Sequence, residues 1–442
     1  MRDIILALII FGTIPFILMR PYVGLLVWSW IGYMNPHRLC YGFAYNFPWV
    51  QLIAVITIVS ILTSKESKRI PISIITVLMG FFFAWATITT FFAVESTSAW
   101  QEWGIFGKTL IMVVVTLMIV NDRQRMHWLI WVIVGSLAFW GLKGGVFTVL
   151  RGGAYHVVGP NASFIANNND LAQALCMTLP LMRYLQMQSQ SKRLRIALVL
   201  AMALTGAAIL GTYSRGGLIA LVVVGGALFL KSRKHAALLV IVGVLGFTAY
   251  HVMPPQWTAR MNTLQHAEET DSAQTRIQSW QFATNVALHR PLVGGGFNVY
   301  ESIPMWQRYG PEDATPRAVH SIYFRVLGEQ GFVGLVLFLA LLLASWKSCS
   351  RARKMTRNLP EYRWAYDLGS MVQVSLLAFM IAGMAKASAY FDLSWQLMAI
   401  STLLPLIVSN QLGKVSGNEV ARPVSQSNRV GVAATLHRHG NG

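Results

Sequence analysis

The chain has 442 residues, 55% of them hydrophobic and only 12% charged, where a soluble domain carries roughly 25% charged residues. Its apolar residues come in long runs rather than one-sided stripes, which excludes a soluble globular protein and makes lipid the solvent for most of the chain. The formal charge of +19, from 36 Lys and Arg against 17 Asp and Glu, falls in short loops between apolar runs. That is the pattern of a membrane protein, and with no helix-turn-helix or zinc-finger spacing it does not indicate nucleic acid.

In chain order the apolar runs lie at about 4–19, 22–34, 49–63, 72–93, 105–120, 127–149, 171–186, 196–211, 216–230, 236–252, 323–346, 366–388 and 395–409. They predict an all-α, polytopic transmembrane bundle of about 12 spans. The first run is followed by Arg20-Pro21 without a small-residue cleavage site, so it reads as retained. The 22–34 run is short enough to be re-entrant or interfacial instead of spanning. Cys40, Cys176 and Cys349 are far apart and lack CxxC spacing, which indicates neither a disulfide framework nor a zinc site.

Five connections are basic: Lys65, Lys68 and Arg69; Arg123 and Arg125; Lys192, Arg193 and Arg195; Lys231, Arg233 and Lys234; and Lys347, Arg351, Arg353, Lys354 and Arg357. By alternation all five fall on one side, which the charge rule makes cytoplasmic. Residues 94–104 and 151–170 and the long 253–320 segment belong outside; the last carries five Arg and six acids and is nearly neutral. Residues 1–412 thus form one transmembrane domain with a long outer loop, and 413–442 a polar, disordered cytoplasmic tail.

Three outer segments carry candidate chemistry. Gly211-Thr-Tyr-Ser-Arg-Gly-Gly217 joins two apolar runs with almost no loop, which sets Arg215 at the membrane surface, either snorkelling or binding an anion. In Thr275-Arg-Ile-Gln-Ser-Trp280, Arg276 and Trp280 share a helix face. Ile277, Trp280, Phe282 and Val286 suggest that this helix lies on the bilayer, with Arg276 on substrate, on Asp271 or on head groups. In the following His289-Arg-Pro-Leu-Val-Gly-Gly-Gly-Phe297, the glycines either cradle a phosphate or form a turn. His320 stands where the outer loop meets a span, as a cap or as a proton acceptor. Arg325 and Glu329 form an inward-facing pair in that span. Lys108, Lys143 and Lys386 read as snorkelling span-end residues, with Lys143 a weaker candidate for phosphate. No HExxH, Walker loop, nucleophile elbow or paired-carboxylate metal site is present, so neither a metal nor another cofactor is expected.

Together the TYSRGG turn, the Arg276…Trp280 pair, HRPLVGGGF and HSIYFRVLGEQGFVG resemble the O-antigen ligase/polymerase superfamily. The N-terminal stretch MRDIILALIIFGTIPFILMRPYVGLLVWSWIGYMNPHRL, with NNNDLAQAL at 167–175, resembles more narrowly the putative O-glycosylation ligases linked to exosortase systems. The resemblance implies a GT-C-like enzyme of the bacterial inner membrane, independent of metal and ATP. Such an enzyme transfers a glycan from undecaprenyl pyrophosphate to lipid A–core sugar or protein at the periplasmic face. Motif by motif it implies Arg215 and Arg276 on pyrophosphate, with Arg290 an alternative second arginine, and His320 as general base in an inverting displacement. It further implies a substrate-binding set of Tyr213, Ser214, Trp280, Tyr323 and Lys143. A polysaccharide polymerase and a lipid-linked glycan transporter are the alternatives.

Overall fold

The computed structural model describes residues 1–66, 68–231, 242–243, 245–262, 271–312 and 314–420. Among them no β-strand occurs. The first nine helices are α1 (Arg2–Met19), α2 (Pro21–Met34), α3 (Trp49–Thr63), α4 (Ile74–Phe91), α5 (Ser96–Ile119), α6 (Arg123–Leu150), α7 (Asn168–Gln188), α8 (Lys192–Gly211) and α9 (Arg215–Lys231). Three shorter ones follow, α10 (Pro255–Asn262), α11 (Asp271–His289) and α12 (Ile303–Tyr309), and then α13 (Ile322–Thr356), α14 (Arg363–Gly383) and α15 (Asp392–Val420). Eight segments among the described residues are long and apolar enough to cross a membrane: Arg2–Met19, Ile74–Phe91, Ser96–Ile119, Arg123–Leu150, Lys192–Gly211, Ile322–Thr356, Pro360–Gly383 and Asp392–Gly413. The expectation of about 12 also counted α2, α3, α7 and α9, which are too short or too polar to meet that measure, and the 236–252 run, much of which lies outside the described residues. α15 continues past Leu412, where the tail was expected to begin, and residues 421–442 lie outside the described residues.

Local chemistry sets the turns. Pro21 starts α2, where its missing N–H costs nothing. Asn35 ends it in the left-handed conformation (φ 52°) ahead of Pro36, with its side-chain amide donating to the Gly32 carbonyl (2.7 Å). The Asp3 carboxylate accepts from the Gly42 and Ala44 N–H groups (2.9 and 3.1 Å), so α2 returns the chain to the end where α1 begins.

The basic connections gather at the other end. Arg125 pairs with Glu66 (2.7 Å), Arg123 lies over the Trp364 ring (5.5 Å), Gln188 donates to Asp367 (3.1 Å) and Lys231 donates to the Ser370 carbonyl (3.3 Å). Between the ends, α6 and α8 pack backbone to backbone: a Cβ on Gly145 would lie 2.1 Å from the Leu204 carbonyl oxygen. Small residues allow such close approach where no hydrophobic force drives helices together in lipid.

α13 is broken at Gly331 (φ 68°, ψ −171°), a conformation essentially restricted to glycine. The break deprives the Gly328, Glu329 and Gln330 carbonyls of regular helical partners. Gly295 and Gly296 N–H donate to the first two (2.8 and 2.9 Å), and the Trp85 indole to the third (3.0 Å). In return the Phe332 N–H donates to the Pro291 carbonyl (2.9 Å). The Gly294–Gly296 run is therefore a strap that docks the chain after α11 onto the core, and its Gly295 and Gly296 N–H groups are not available to cradle a phosphate.

Exchanging Gly331 for Ala forces the left-handed conformation on a residue with a Cβ, and that Cβ would meet the Leu292 carbonyl oxygen at 2.2 Å. Gly331→Ala is expected to cost at least about 1–3 kcal/mol and to lower the melting temperature in detergent. Gly225→Ala, where a Cβ meets nothing within 4 Å, is the control and is expected to be neutral or stabilising.

Candidate active site

The site is assembled at the end opposite the basic connections. The turn before α9 is held by Tyr213, whose φ is 57°, and by Ser214, whose Oγ accepts from the Gly217 N–H (3.0 Å) as a helix N-cap. Arg215 is the first residue of α9 and is half-buried. Arg260 reaches the same turn from α10, its Nε donating to the Tyr213 carbonyl (3.0 Å).

Arg276 comes from α11. Burial lowers its pKa, and the positive charges of Arg215 and Arg260 beside it lower it further. Among the described residues, Glu66 and Asp122 pair with Arg125, Glu102 and Glu329 with Arg325, and Asp367 with Arg363, while Asp170 pairs with Lys386 at the site itself. The Asp271 side chain, a proposed alternative partner for Arg276, lies outside the described residues.

Arg276, Ser214, Gly216, Asn169 and Lys386 line one small pocket. Lys386 lies between α14 and α15, 2.9 Å from Asp170 Oδ1 and 3.3 Å from Asn167 Oδ1. His320 stands just ahead of α13, half-buried. Burial first, then the positive charges of Lys386 and Arg276, push its pKa down to about 4, so the imidazole is neutral near pH 7.

Arg276 thus lies close enough to feel the charge of Arg215 and to act on His320, with Ser214 lining the same pocket. Trp280 stacks on Phe324 (5.1 Å between centroids, planes 10° apart), and its buried indole N–H has no hydrogen-bond partner. Tyr323 donates from its hydroxyl to the Met380 carbonyl (3.2 Å), and Tyr213 to the Gly153 carbonyl (2.6 Å), so both hydroxyls hold the scaffold.

Two candidates fall elsewhere. Arg290 donates to the Phe92 carbonyl (2.6 Å), capping the C-terminal end of α4, because the glycine strap carries it toward that helix. Lys143 lies over Trp140 (5.0 Å) and lines a separate cavity with Arg2, Leu39 and Cys40, because α6 turns that face toward α1. Nor does α11 simply lie on a bilayer: Ile277 is exposed, but Phe282 and Val286 are buried, Phe282 stacking on Trp306 at 4.2 Å.

Sequence reasoning passed over Lys386, Arg260, Asn169 and Asp170. The polar run Asn167-Asn-Asn-Asp170 heading an apolar segment was the available signal for two of them. Behind the site, Glu329 accepts from Arg325 Nε (3.0 Å), the Tyr390 hydroxyl (2.8 Å) and the Asn298 N–H (3.1 Å), while Arg325 also pairs with Glu102 (3.0 Å). Every partner of this pair is supplied from within the bundle, as suits an inward-facing structural bridge. Among the described residues no group of three or more His, Cys, Asp or Glu is placed to hold a metal ion.

Residues 200–339 match a family model described as O-antigen ligase, and residues 1–190 match a family of unknown function, DUF5935. No curated protein matches the chain. Arg215, Arg260, Arg276 and His320 all lie within the ligase stretch. Fold and match together define a multi-pass membrane protein with a glycan ligase/polymerase-type domain. The match over residues 200–339 supports the O-antigen ligase superfamily.

Replacing Lys386 by Met removes one of the two charges that oppose protonation of His320 and leaves Asp170 unpaired, and both changes favour imidazolium. The His320 pKa is expected to rise from about 4 toward the ordinary value near 6.5, read from imidazole ¹⁵N shifts in detergent. An unmoved value would mean that burial and Arg276 set it without Lys386.

Proposed function

We propose that the protein is an inner-membrane ligase that transfers a polysaccharide from undecaprenyl pyrophosphate to an acceptor, lipid A–core sugar or protein, at the periplasmic face. The observation that carries this reading is the gathering of cationic side chains at one end of the bundle. Arg215, Arg260 and Arg276 converge there near Lys386, which pairs with Asp170, beside a neutral histidine. Guanidiniums are suited to bidentate contact with phosphate oxygens.

In the proposed reaction the acceptor hydroxyl oxygen attacks the anomeric carbon of the donor and His320 takes the hydroxyl proton. The bond from the anomeric carbon to the pyrophosphate oxygen breaks, and the lipid pyrophosphate leaves with the electron pair, inverting the configuration. Arg215 and Arg276 stabilise the charge that grows on the leaving group. Clustering of these groups at one end favours an enzyme over a transporter, whose ionisable residues would line the full depth of the bundle.

Donor binding also adjusts the base. The pyrophosphate offsets the charges of Lys386 and Arg276, so the His320 pKa rises and the imidazole becomes a stronger base once the donor is in place. The acid limb of kcat/KM, which reports the free enzyme, is expected near pH 4, and that of kcat, which reports the complex, at higher pH. Coincident limbs would contradict this coupling.

The primary test measures transfer from undecaprenyl-pyrophosphate glycan to lipid A–core by purified protein, with EDTA and without ATP. Wild type is expected to transfer. His320→Ala is expected to lose about 10²–10⁴-fold, and Arg215→Ala and Arg276→Ala about 10²–10³-fold each, with unchanged melting temperatures. Extension of the lipid-linked glycan without transfer to lipid A–core would identify a polymerase. Absence of both activities, with a protein acceptor also supplied, would overturn the reading.

A further inference from the structure

A second and larger cavity, of about 640 Å³, opens at the same end of the bundle and takes no part in the chemistry above. Its wall comes from α2, the connection from Asn35 to Pro48, α3, α5, residues 162–164 and Asp392 at the start of α15. Apart from Asp392, every lining residue lies within residues 1–190, outside the stretch that matches the ligase family. The volume is in the range of roughly 300–1,000 Å³ typical of small-molecule sites.

The lining sets the class of ligand. Arg38, Lys108 and Asn46 offer donors, while the Asp392 carboxylate, held by the Thr109 hydroxyl (2.8 Å), offers acceptors. A carboxylate in the wall disfavours a phosphate; mixed donors and acceptors suit a ligand whose hydroxyls both give and accept. Trp28 and Trp49 form the floor, and Phe47 and Phe164, 38% and 48% exposed, leave ring surface open.

Two buried polar atoms in this wall, His37 Nδ1 and Arg38 Nε, have no hydrogen-bond partner. His37 is only 7% exposed. Burial, and then the neighbouring Arg38, lower its pKa to about 4, which leaves a neutral ring near pH 7. Both side chains line the cavity, and the Arg38 guanidinium adds donors to its wall. Polar groups of both kinds set against aromatic faces recognise a sugar ring, with hydroxyls at its edge and C–H groups on its face.

The cavity also adjoins the cationic site. The Phe164 ring lies 6.5 Å from that of Phe391. Asn167 and Asp170, just beyond Phe164, hold Lys386, which shortly precedes Asp392 in the chain. One pair of segments therefore walls both sites.

We infer that this cavity is a saccharide-binding subsite, supplied by the N-terminal part of the chain, that holds a pyranose unit beside the cationic site. That the sugar belongs to a transfer reaction rests on the ligase reading; that the cavity binds sugar does not.

Phe164→Ala, Asn46→Ala and Lys108→Met test it, all at exposed positions whose truncation spares the core. With lipid A–core and the undecaprenyl-pyrophosphate glycan as substrates, each variant is expected to raise the half-saturating concentration of one substrate by about tenfold or more, with the maximal rate unchanged. A rise for lipid A–core assigns the sugar to the acceptor, and a rise for the lipid-linked glycan assigns it to the donor. An enzyme that transfers with neither value moved overturns the proposal. If wild type transfers nothing, the ligase reading fails by itself, and the subsite is judged by direct binding of the de-acylated core and free repeat-unit oligosaccharides, read from tryptophan fluorescence. Binding to wild type that weakens in the variants supports it; no binding of either oligosaccharide overturns it.

Discussion

A chain dissolved in lipid cannot leave backbone polar groups without partners, because no water is at hand to satisfy them. Most of this molecule meets that constraint by remaining helical. Where α13 breaks at Gly331, it is met instead by Gly295, Gly296 and Trp85, whose N–H groups take up the freed carbonyls. The break thus gives residues 291–296 a docking place on the bundle. Because α11 leads into those residues, Arg276 depends on the same contacts for its position facing Arg215 and His320. Beneath the strap, the bridge from Arg325 to Glu329 and Glu102, with Tyr390 and Asn298, joins α13 to α5 and to the segment before α15.

The site above this scaffold has an electrostatic character that no single residue explains. Like charges are held together there by the folding of α9, α10, α11 and the 384–391 segment, and burial strengthens their mutual repulsion. Burial first, and the charges of Lys386 and Arg276 after it, keep His320 neutral, so its protonation is coupled to the cationic cluster.

The two matched stretches divide the work in space. The ligase stretch supplies the arginines and the histidine, and the N-terminal stretch supplies the polar, aromatic cavity and Asp170. A reaction between a lipid-linked donor and a second substrate needs both a place where charge is stabilised and a place where a sugar is oriented. These two features are set side by side at one end of the bundle.

Much of the architecture was legible without coordinates, because hydropathy and the placement of charge are local properties of a chain in lipid. The all-helical bundle and the gathering of Lys and Arg at one end follow from them, while the candidacy of Arg215, Arg276 and His320 came from motifs that resemble the ligase superfamily. Pattern alone could not separate the glycines of 294–296 from a phosphate cradle, since the carbonyls they bond lie on another helix. It could not distinguish Arg290, which caps α4, from Arg276, which faces the site, because both are arginines of one stretch, one within α11 and one just past its end. Lys386 looked like any span-end lysine, and its partner Asn167 is 219 residues away in the chain. Which side chains meet is decided by helix packing and by the break in α13; those contacts are non-local, and only the tertiary structure brings them together.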